Sequence, residues 1–194
     1  MNVSRETSDL IERYRTLLLR WNRSINLVGR GAVEATLERH LADSLAVAME
    51  GRDIEGPWLD MGSGGGFPGI VCAILRRGRP EPVTLVDSDA RKGAFLRTVV
   101  RELGLRAAVA TARIEEAPPA GAAVVSAKAL APLSMLFSYA VRHLAEGGVA
   151  LFPKGPGYVD ELAEARKGYR FDATVLGGSG GSVILRVEGL QRAA

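Results

Sequence analysis

The chain has 194 residues, 47% of them apolar and 24% charged, with a formal net charge of +3. That is an ordinary globular composition, long enough for one domain, or one domain with an extension, to bury roughly 70% of its unfolded surface. A single cysteine, Cys72, excludes an internal disulfide and a thiolate metal cluster, and with only His40 and His143 a histidine-rich metal site is excluded too.

The amino-terminal stretch MNVSRETSDLIERY carries acids early and has no apolar signal core. Nor does any apolar run reach the roughly 18 residues of a membrane span. A cytoplasmic protein without a metal is therefore expected. Leu10, Ile11, Tyr14, Leu17, Leu18 and Trp21 recur at three- and four-residue spacing, which predicts a helix with Ser8 as its candidate cap. A second helix is expected from about Ala32 to Met49, with Val33, Leu37, Leu41, Leu45 and Ala48 on one face. WNRSINLVGRG between them reads as a loop, and Gly51 to Pro57 ends the pattern. Residues 1–56 are thus assigned to a helical extension and residues 57–194 to one compact domain.

From Trp58 onward short apolar strands alternate with helices. Strands are expected at Trp58–Met61, Pro82–Asp87, Ala107–Ala110, Ala122–Ser126, Val149–Pro153, Phe171–Leu176 and Ser182–Val187. Helices are expected at Pro68–Arg76, Ala90–Leu103, Leu133–Leu144 and Tyr158–Lys167. Such alternation predicts an α/β fold with a doubly wound, mostly parallel sheet. The glycine-rich link near Gly177–Gly181 leaves no room for a crossover helix, so the last two strands should form a hairpin and the final strand should run antiparallel. A seven-stranded sheet ending this way is the arrangement of class I methyltransferases rather than of most dehydrogenases.

Five of the eight residues from Gly62 to Gly69 are glycine, directly after the first strand and before a helix. Each costs roughly 0.5–1 kcal/mol of backbone entropy against alanine, so the backbone must have to come very close to something. Strand, glycine turn and helix start bring backbone N–H groups to one spot, and ligands of such sheets bind at the carboxyl ends of the strands. Two ligand patterns compete. Gly64 to Gly69 matches the dinucleotide pattern G-x-G-x-x-G, a weak signal alone. Asp60 to Gly66, DMGSGGG, matches the D-x-G-x-G-x-G pattern of S-adenosylmethionine sites, where the acid can meet the cationic amino group of the methionine moiety. Asp87, closing the second strand, can accept both ribose hydroxyls of either cofactor, or else cap the following helix. Ile114 and Glu115, after the third strand, stand where an adenine ring would be enclosed. Nine cations against four acids between Arg76 and Arg113 suit a phosphate-rich partner, although 21 of the 25 basic residues are arginine and a merely solvated surface reads the same.

Several stretches together resemble the ribosomal RNA small subunit methyltransferase G family, also called glucose-inhibited division protein B. They are Trp21-Asn22-Arg23 with Asn26-Leu27, Arg39-His40 with Asp43-Ser44-Leu45, and Asp60 through Ile70. The likeness continues through Leu85-Val86-Asp87-Ser88, Phe95-Leu96, Arg113-Ile114-Glu115, Ala129-Leu130-Ala131-Pro132-Leu133 and Lys154-Gly155. The resemblance implies methyl transfer from S-adenosylmethionine to N7 of a guanosine in 16S ribosomal RNA, free or in the small subunit, by a monomer in bacterial cytoplasm. It implies that Gly62 and Phe67 line the methionine end of the cofactor and that Ile114 and Glu115 flank its adenine. The whole cofactor set is then Asp60, Gly62, Ser63, Gly64, Gly66, Phe67, Asp87, Ser88, Ile114, Glu115 and Lys128. Lys128 stands where the family usually has arginine; it keeps the charge but loses the planar fork, and its task among RNA, cofactor and catalysis stays open. Arg23, Arg39, Arg91, Lys92 and Lys154 are the RNA-binding candidates.

The chemistry agrees with what is missing. Cys72 is placed inside a core helix, so it does not serve as the nucleophile that pyrimidine C5 methylation needs. SAKALAPL, after the fourth strand, lacks the Asn/Asp-Pro-Pro-aromatic motif of adenine amine methylation. Guanine N7 needs neither device. Beside this reading stand a methyltransferase for another RNA or a small molecule, and a nucleotide-binding protein of the NAD type. His40 reads as a structural hydrogen-bonding group next to Asp43 and Ser44, and Trp21 as core.

Overall fold

The structure, a computed structural model, describes residues 3–29, 33–178 and 180–193. Helix α1 (Arg5–Asn22) is capped by Ser4, whose Oγ accepts from Thr7 N at 3.2 Å, so the cap lies one turn ahead of Ser8. Helix α2 follows as Val33–Glu50; the expected start at Ala32 lies outside the described residues. The alternating part comprises β1 (Trp58–Met61), α3 (Gly69–Leu75), β2 (Val83–Asp87), α4 (Ala90–Leu103), β3 (Ala107–Thr111) and β4 (Ala122–Ser126). It ends with α5 (Leu133–His143), β5 (Leu144–Lys154), α6 (Tyr158–Ala165), β6 (Tyr169–Gly177) and β7 (Val183–Arg192).

All seven strands form one sheet in the order β3-β2-β1-β4-β5-β7-β6. The β1–β2, β2–β3, β1–β4 and β4–β5 pairs are parallel, whereas β7 runs antiparallel to both β5 and β6. The expected class I methyltransferase arrangement is the one found. Strand order reverses between β1 and β4, which opens a crevice at their carboxyl ends. In the register, Asp60 of β1 lies beside Leu85 of β2 on one side and Ser126 of β4 on the other.

Alternate strand residues face opposite layers, as the pleat requires. Trp58, Val83, Leu85, Val124 and Leu151 point into a core shared with α1 to α4, so the two amino-terminal helices cover the same face as α3 and α4. Leu59, Met61, Val86, Val125 and Phe152 point the other way, against α5 and α6. Tyr14, Leu18 and Leu37 are fully buried, and such side chains contribute roughly 1.5–3 kcal/mol each. Trp21 is partly buried and packs on Phe95 at a ring distance of 5.7 Å. Cys72 is buried, as its helical position predicts.

Two expectations change in this frame. Strand β5 begins at Leu144 rather than Val149, because the Glu146-Gly147-Gly148 stretch is a strand irregularity and not a loop: Gly147 takes φ +73° and the β4–β5 register shifts there. Arg76 is not a surface cation. Only 3% exposed, it donates to the carbonyls of Gly51, Ile54 and Gly56 at 2.8–3.2 Å and lies 5.5 Å over the Trp58 ring. It braces the chain entering β1.

Candidate active site

The glycine turn leaves β1 at Met61 and delivers the chain to α3. Ser63 organises it: its N–H donates to Val86 O at 2.9 Å, and its carbonyl accepts from Gly66 N and Phe67 N. Gly62 adopts φ +66°, and a Cβ there would lie 2.5 Å from Leu130. Gly66 adopts φ +96°, and its Cβ would meet Ile70 at 2.6 Å and the Tyr14 hydroxyl at 2.8 Å. Both positions have a left-handed backbone that favours glycine, and at Gly66 the buried Ile70 and Tyr14 also leave no room for a side chain, which answers why the turn uses glycine. From below, Tyr14 of α1 donates to Gly65 O at 2.5 Å.

Asp60, one residue before the end of β1, has no exposed surface. Its carboxylate accepts from Ser126 Oγ at 2.7 Å and from Gly69 N at 3.2 Å, while Trp58 Nε1 donates to the same Ser126 hydroxyl. Burial raises its pKa to about 6 against the hydrogen bonds that favour the anion. Asp60 therefore lies beneath the turn, tying β1 to β4 and to the start of α3, and does not reach the crevice where an amino group was expected to meet it.

Asp87 ends β2 at the crevice itself. Its Oδ2 accepts from Gly64 N at 2.8 Å and its Oδ1 from Asp89 N at 2.9 Å. The helix-capping alternative belongs to its neighbour: Asp89 is the N-cap of α4, accepting from Arg91 N and Lys92 N. Asp87 is left to hold the turn and face the cavity.

That cavity, about 440 Å³, spans the carboxyl ends of β1 to β4, a size within the roughly 300–1,000 Å³ of cofactor sites. Of the expected cofactor residues, Gly62, Ser63, Gly64, Phe67, Asp87, Ser88, Ile114, Glu115 and Lys128 line it. Gly66 and Asp60 do not; both are buried behind the turn. Among the RNA candidates Lys92 lines the cavity, Arg23 and Arg39 are exposed, and Arg91 is exposed but paired with Asp89 at 3.1 Å. Lys154 is less open than an RNA candidate was expected to be: its side chain is 11% exposed and its ammonium sits 2.6 Å from Glu161.

Several lining residues were not among the expected cofactor set. Leu27 enters from the loop after α1, and Met135 and Tyr139 from one face of α5. Leu130 and Met135 are among the exposed large apolar side chains. Ala129 has φ +55°, the single non-glycine residue with positive φ among the described residues, a backbone strain of order 1–3 kcal/mol at the cavity wall. The loop carrying Ile114 is held by α5: His143 Nε2 bonds Ile114 O at 3.0 Å, and Arg142 donates to Ala117 O.

His40 also lines the cavity, beyond the structural part expected of it. Its ring packs on Phe67 at 5.3 Å and its Nδ1 is bonded to the Lys128 ammonium. An ammonium has no acceptor, so Nδ1 accepts and the ring proton sits on Nε2. Burial, then the Lys128 and Arg39 charges, lower the His40 pKa to about 4, so the ring is neutral at physiological pH. Lys128 is also 3.7 Å from Asp43, and Asp43 accepts from Ser182 Oγ at 2.8 Å. Burial lowers the Lys128 pKa against the opposing pull of Asp43. The described residues contain no cluster of three or more histidine, cysteine, aspartate or glutamate side chains able to hold a metal. No helix among them is long and apolar enough to cross a membrane.

A family model described as rRNA small subunit methyltransferase G (GidB) matches residues 7–177. The ribosomal RNA small subunit methyltransferase G of Ruegeria sp. (strain TM1040) is 44% identical over 199 residues, covering 99% of this chain and 95% of that one. The chain belongs to this family. The Rhodospirillum centenum member is 52% identical over 169 residues, covering 84% of this chain and 74% of that one. Among solved structures, cofactor-bound Rv0187 from MTB superposes with a TM-score of 0.65 at 14% identity, covering 93% of this chain and 88% of that one. A SAM-dependent methyltransferase from Aquifex aeolicus gives a TM-score of 0.61 at 16% identity, covering 77% and 90%. At such identities these structures speak for the fold, while the family assignment rests on the relatives.

Proposed function

We propose that this member of the methyltransferase G family transfers a methyl group from S-adenosylmethionine to N7 of a guanosine in 16S ribosomal RNA, in the cytoplasm. One observation carries the reading: the glycine turn, Asp87 and the Ile114–Glu115 loop close around a single cavity at the reversal of strand order. These residues fit the cofactor. Asp87 is oriented by Gly64 N and Asp89 N with lone pairs to spare for ribose hydroxyls. Ile114 and Glu115 are set to flank adenine, on a backbone fixed by His143. Gly62, Ser63 and Phe67 shape the methionine end.

When bound, S-adenosylmethionine supplies a methyl group on a sulfonium centre. The protein then has to orient and exclude water. Guanine N7 has an in-plane lone pair and no proton to lose, so no general base is required, and neutral His40 is not asked to act as one. Alignment of reacting groups contributes up to roughly 7–11 kcal/mol. The target base must be unstacked or displayed in a loop, because N7 faces the deep, narrow groove of A-form RNA. Exposed Arg39, next to cavity-lining His40 on α2, and cavity-lining Lys92 are candidates for phosphate contacts.

The protein incubated with methyl-labelled cofactor and 16S RNA or small subunits, followed by digestion to nucleosides, should place the label on 7-methylguanosine. Label on any other nucleoside, or none, rejects the assignment. Calorimetry should show binding of S-adenosylhomocysteine and no binding of NAD.

A further inference from the structure

The Lys128–His40–Asp43 cluster has no task in the account so far. It joins three parts of the chain: α2, the loop after β4, and, through Ser182, the turn before β7. Lys128 follows the carboxyl end of β4 by two residues. Asp87 ends β2, on the far side of β1 from β4. If the sugar lies at Asp87 and the adenine at Ile114–Glu115, the β4 side of the crevice is left for the methyl end and the incoming base. This step rests on the function proposed above. We infer that Lys128, held in place by His40 and Asp43, donates a hydrogen bond to O6 of the target guanine and so selects guanine over adenine.

An ammonium has three N–H groups. One is given to His40 Nδ1 and one is directed toward Asp43, which leaves one for the cavity that Lys128 lines. Its position is fixed rather than free to wander, since the side chain is only 11% exposed. The charge matters as much as the donor. Asp43, 5% exposed, offsets part of the positive charge that Lys128 and neighbouring Arg39 bring, and His40 is neutral, so the wall presents a hydrogen-bond donor whose charge is partly balanced. Such a donor can meet a carbonyl oxygen such as a purine O6. It also suits the product: methylation leaves a positive charge on the purine, and an unbalanced cation beside N7 would oppose its formation. Guanine presents the O6 acceptor next to N7, whereas adenine presents an amino donor there. Two donors would then face each other, one of them on a buried side chain, and the base would be refused.

The test compares methyl transfer to a 16S RNA substrate carrying guanosine or 2,6-diaminopurine riboside at the modified position. The analogue keeps N7 and the 2-amino group but replaces O6 with an amino group. Wild type should prefer guanosine by roughly 10–100-fold in kcat/KM, the range of a specific base-edge contact. K128M should bring the two substrates within about threefold by losing guanosine activity, and K128R should keep the preference. K128M/D43N removes the buried carboxylate along with its partner and should behave like K128M if the single variant folds poorly. S-adenosylhomocysteine affinity should stay within about threefold of wild type in all of them. Preference surviving in K128M or the double variant overturns the inference, as does a tenfold loss of S-adenosylhomocysteine affinity with the preference intact, which would assign Lys128 to the cofactor carboxylate. Failure of wild type to make any 7-methylguanosine would instead remove the proposed function itself.

Discussion

Asp60 accepts from Ser126 Oγ and Gly69 N without any exposed surface, whereas Asp87, one strand over, keeps an edge on the cavity. Their substitutions should therefore separate. D87A removes the acceptor expected to hold the ribose, and hydrogen bonds to charged groups are worth about 1.5–3 kcal/mol. S-adenosylhomocysteine should bind roughly 10–150-fold more weakly by calorimetry, with RNA affinity little changed. Asp60 acts through stability and pH instead. Its pKa is raised from 3.8 to about 6 by burial, so the folded protein holds that proton more tightly than the unfolded chain. Its contribution is full below the unfolded value and is lost as pH rises through about 6, by about 3 kcal/mol in all. Urea unfolding of wild type and D60N at pH 4 and pH 7.5 should show the wild-type advantage shrinking by about 2 kcal/mol at the higher pH, part of the effect being already lost at pH 4, just above the unfolded value. An advantage that grew with pH would mean the carboxylate is the favoured form. The D-x-G-x-G-x-G pattern placed Asp60 at the turn, and the end of the second strand placed Asp87 there, but neither could tell which acid would be buried, because that depends on Ser126 and Gly69 arriving 66 and 9 residues from Asp60.

Helix α1 is a structural member of the active site although it touches the cavity only through the Leu27 loop that follows it. Tyr14 is fully buried and donates to Gly65 O at 2.5 Å, so the helix holds the glycine turn by its backbone. Y14F keeps the ring against Phe67, 5.5 Å away, but leaves a buried carbonyl unpaired, which costs about 1–3 kcal/mol. For a chain of this length the melting temperature should fall by roughly 2–12 °C in scanning calorimetry. Cofactor affinity should fall with it, since Gly64 and Gly65 lie on the cavity; a lower melting point with unchanged affinity would show the turn to be rigid without Tyr14. The helical face from Leu10 to Trp21 is legible in periodicity, as are β1, β4 and α4, whose bounds match the expectation residue for residue. What periodicity misses is where local rules lose to pairing. Leu144 to Gly148 reads as a helix end and a turn, yet Leu144 pairs with Ala122 across the sheet and the strand absorbs the glycines. Likewise β7 runs on to Arg192, past the expected Val187, because β6 offers it partners back to Tyr169.

Across the whole molecule the cations divide into those that hold the fold and those left for a partner, a division that composition does not reveal. Arg76 is spent on three carbonyls, and Arg79 and Arg106 each donate to a main-chain carbonyl as well. The excess of five charges counted between Arg76 and Arg113 thus overstates what RNA can meet. Lys154 is spent too, on Glu161, which in turn accepts from Leu133 N at the start of α5. Arg23 and Arg39, both exposed, and Lys92, at the cavity, are the cations we propose for phosphate contacts. RNA binding should weaken linearly in log–log form with salt, by about 0.7–0.9 in slope per phosphate contacted. R39A and K92A should each lower that slope by about one contact and weaken all RNA sequences alike, which filter binding or fluorescence anisotropy at several salt concentrations would measure. K154A should leave the slope where it was and instead lower the melting temperature by a few degrees, because Glu161 loses its cation at a half-buried site. The opposite pattern, with Lys154 setting the slope and Arg39 and Lys92 silent, would place the RNA over the α6 side of the sheet and away from the crevice that Asp87 and Lys128 share.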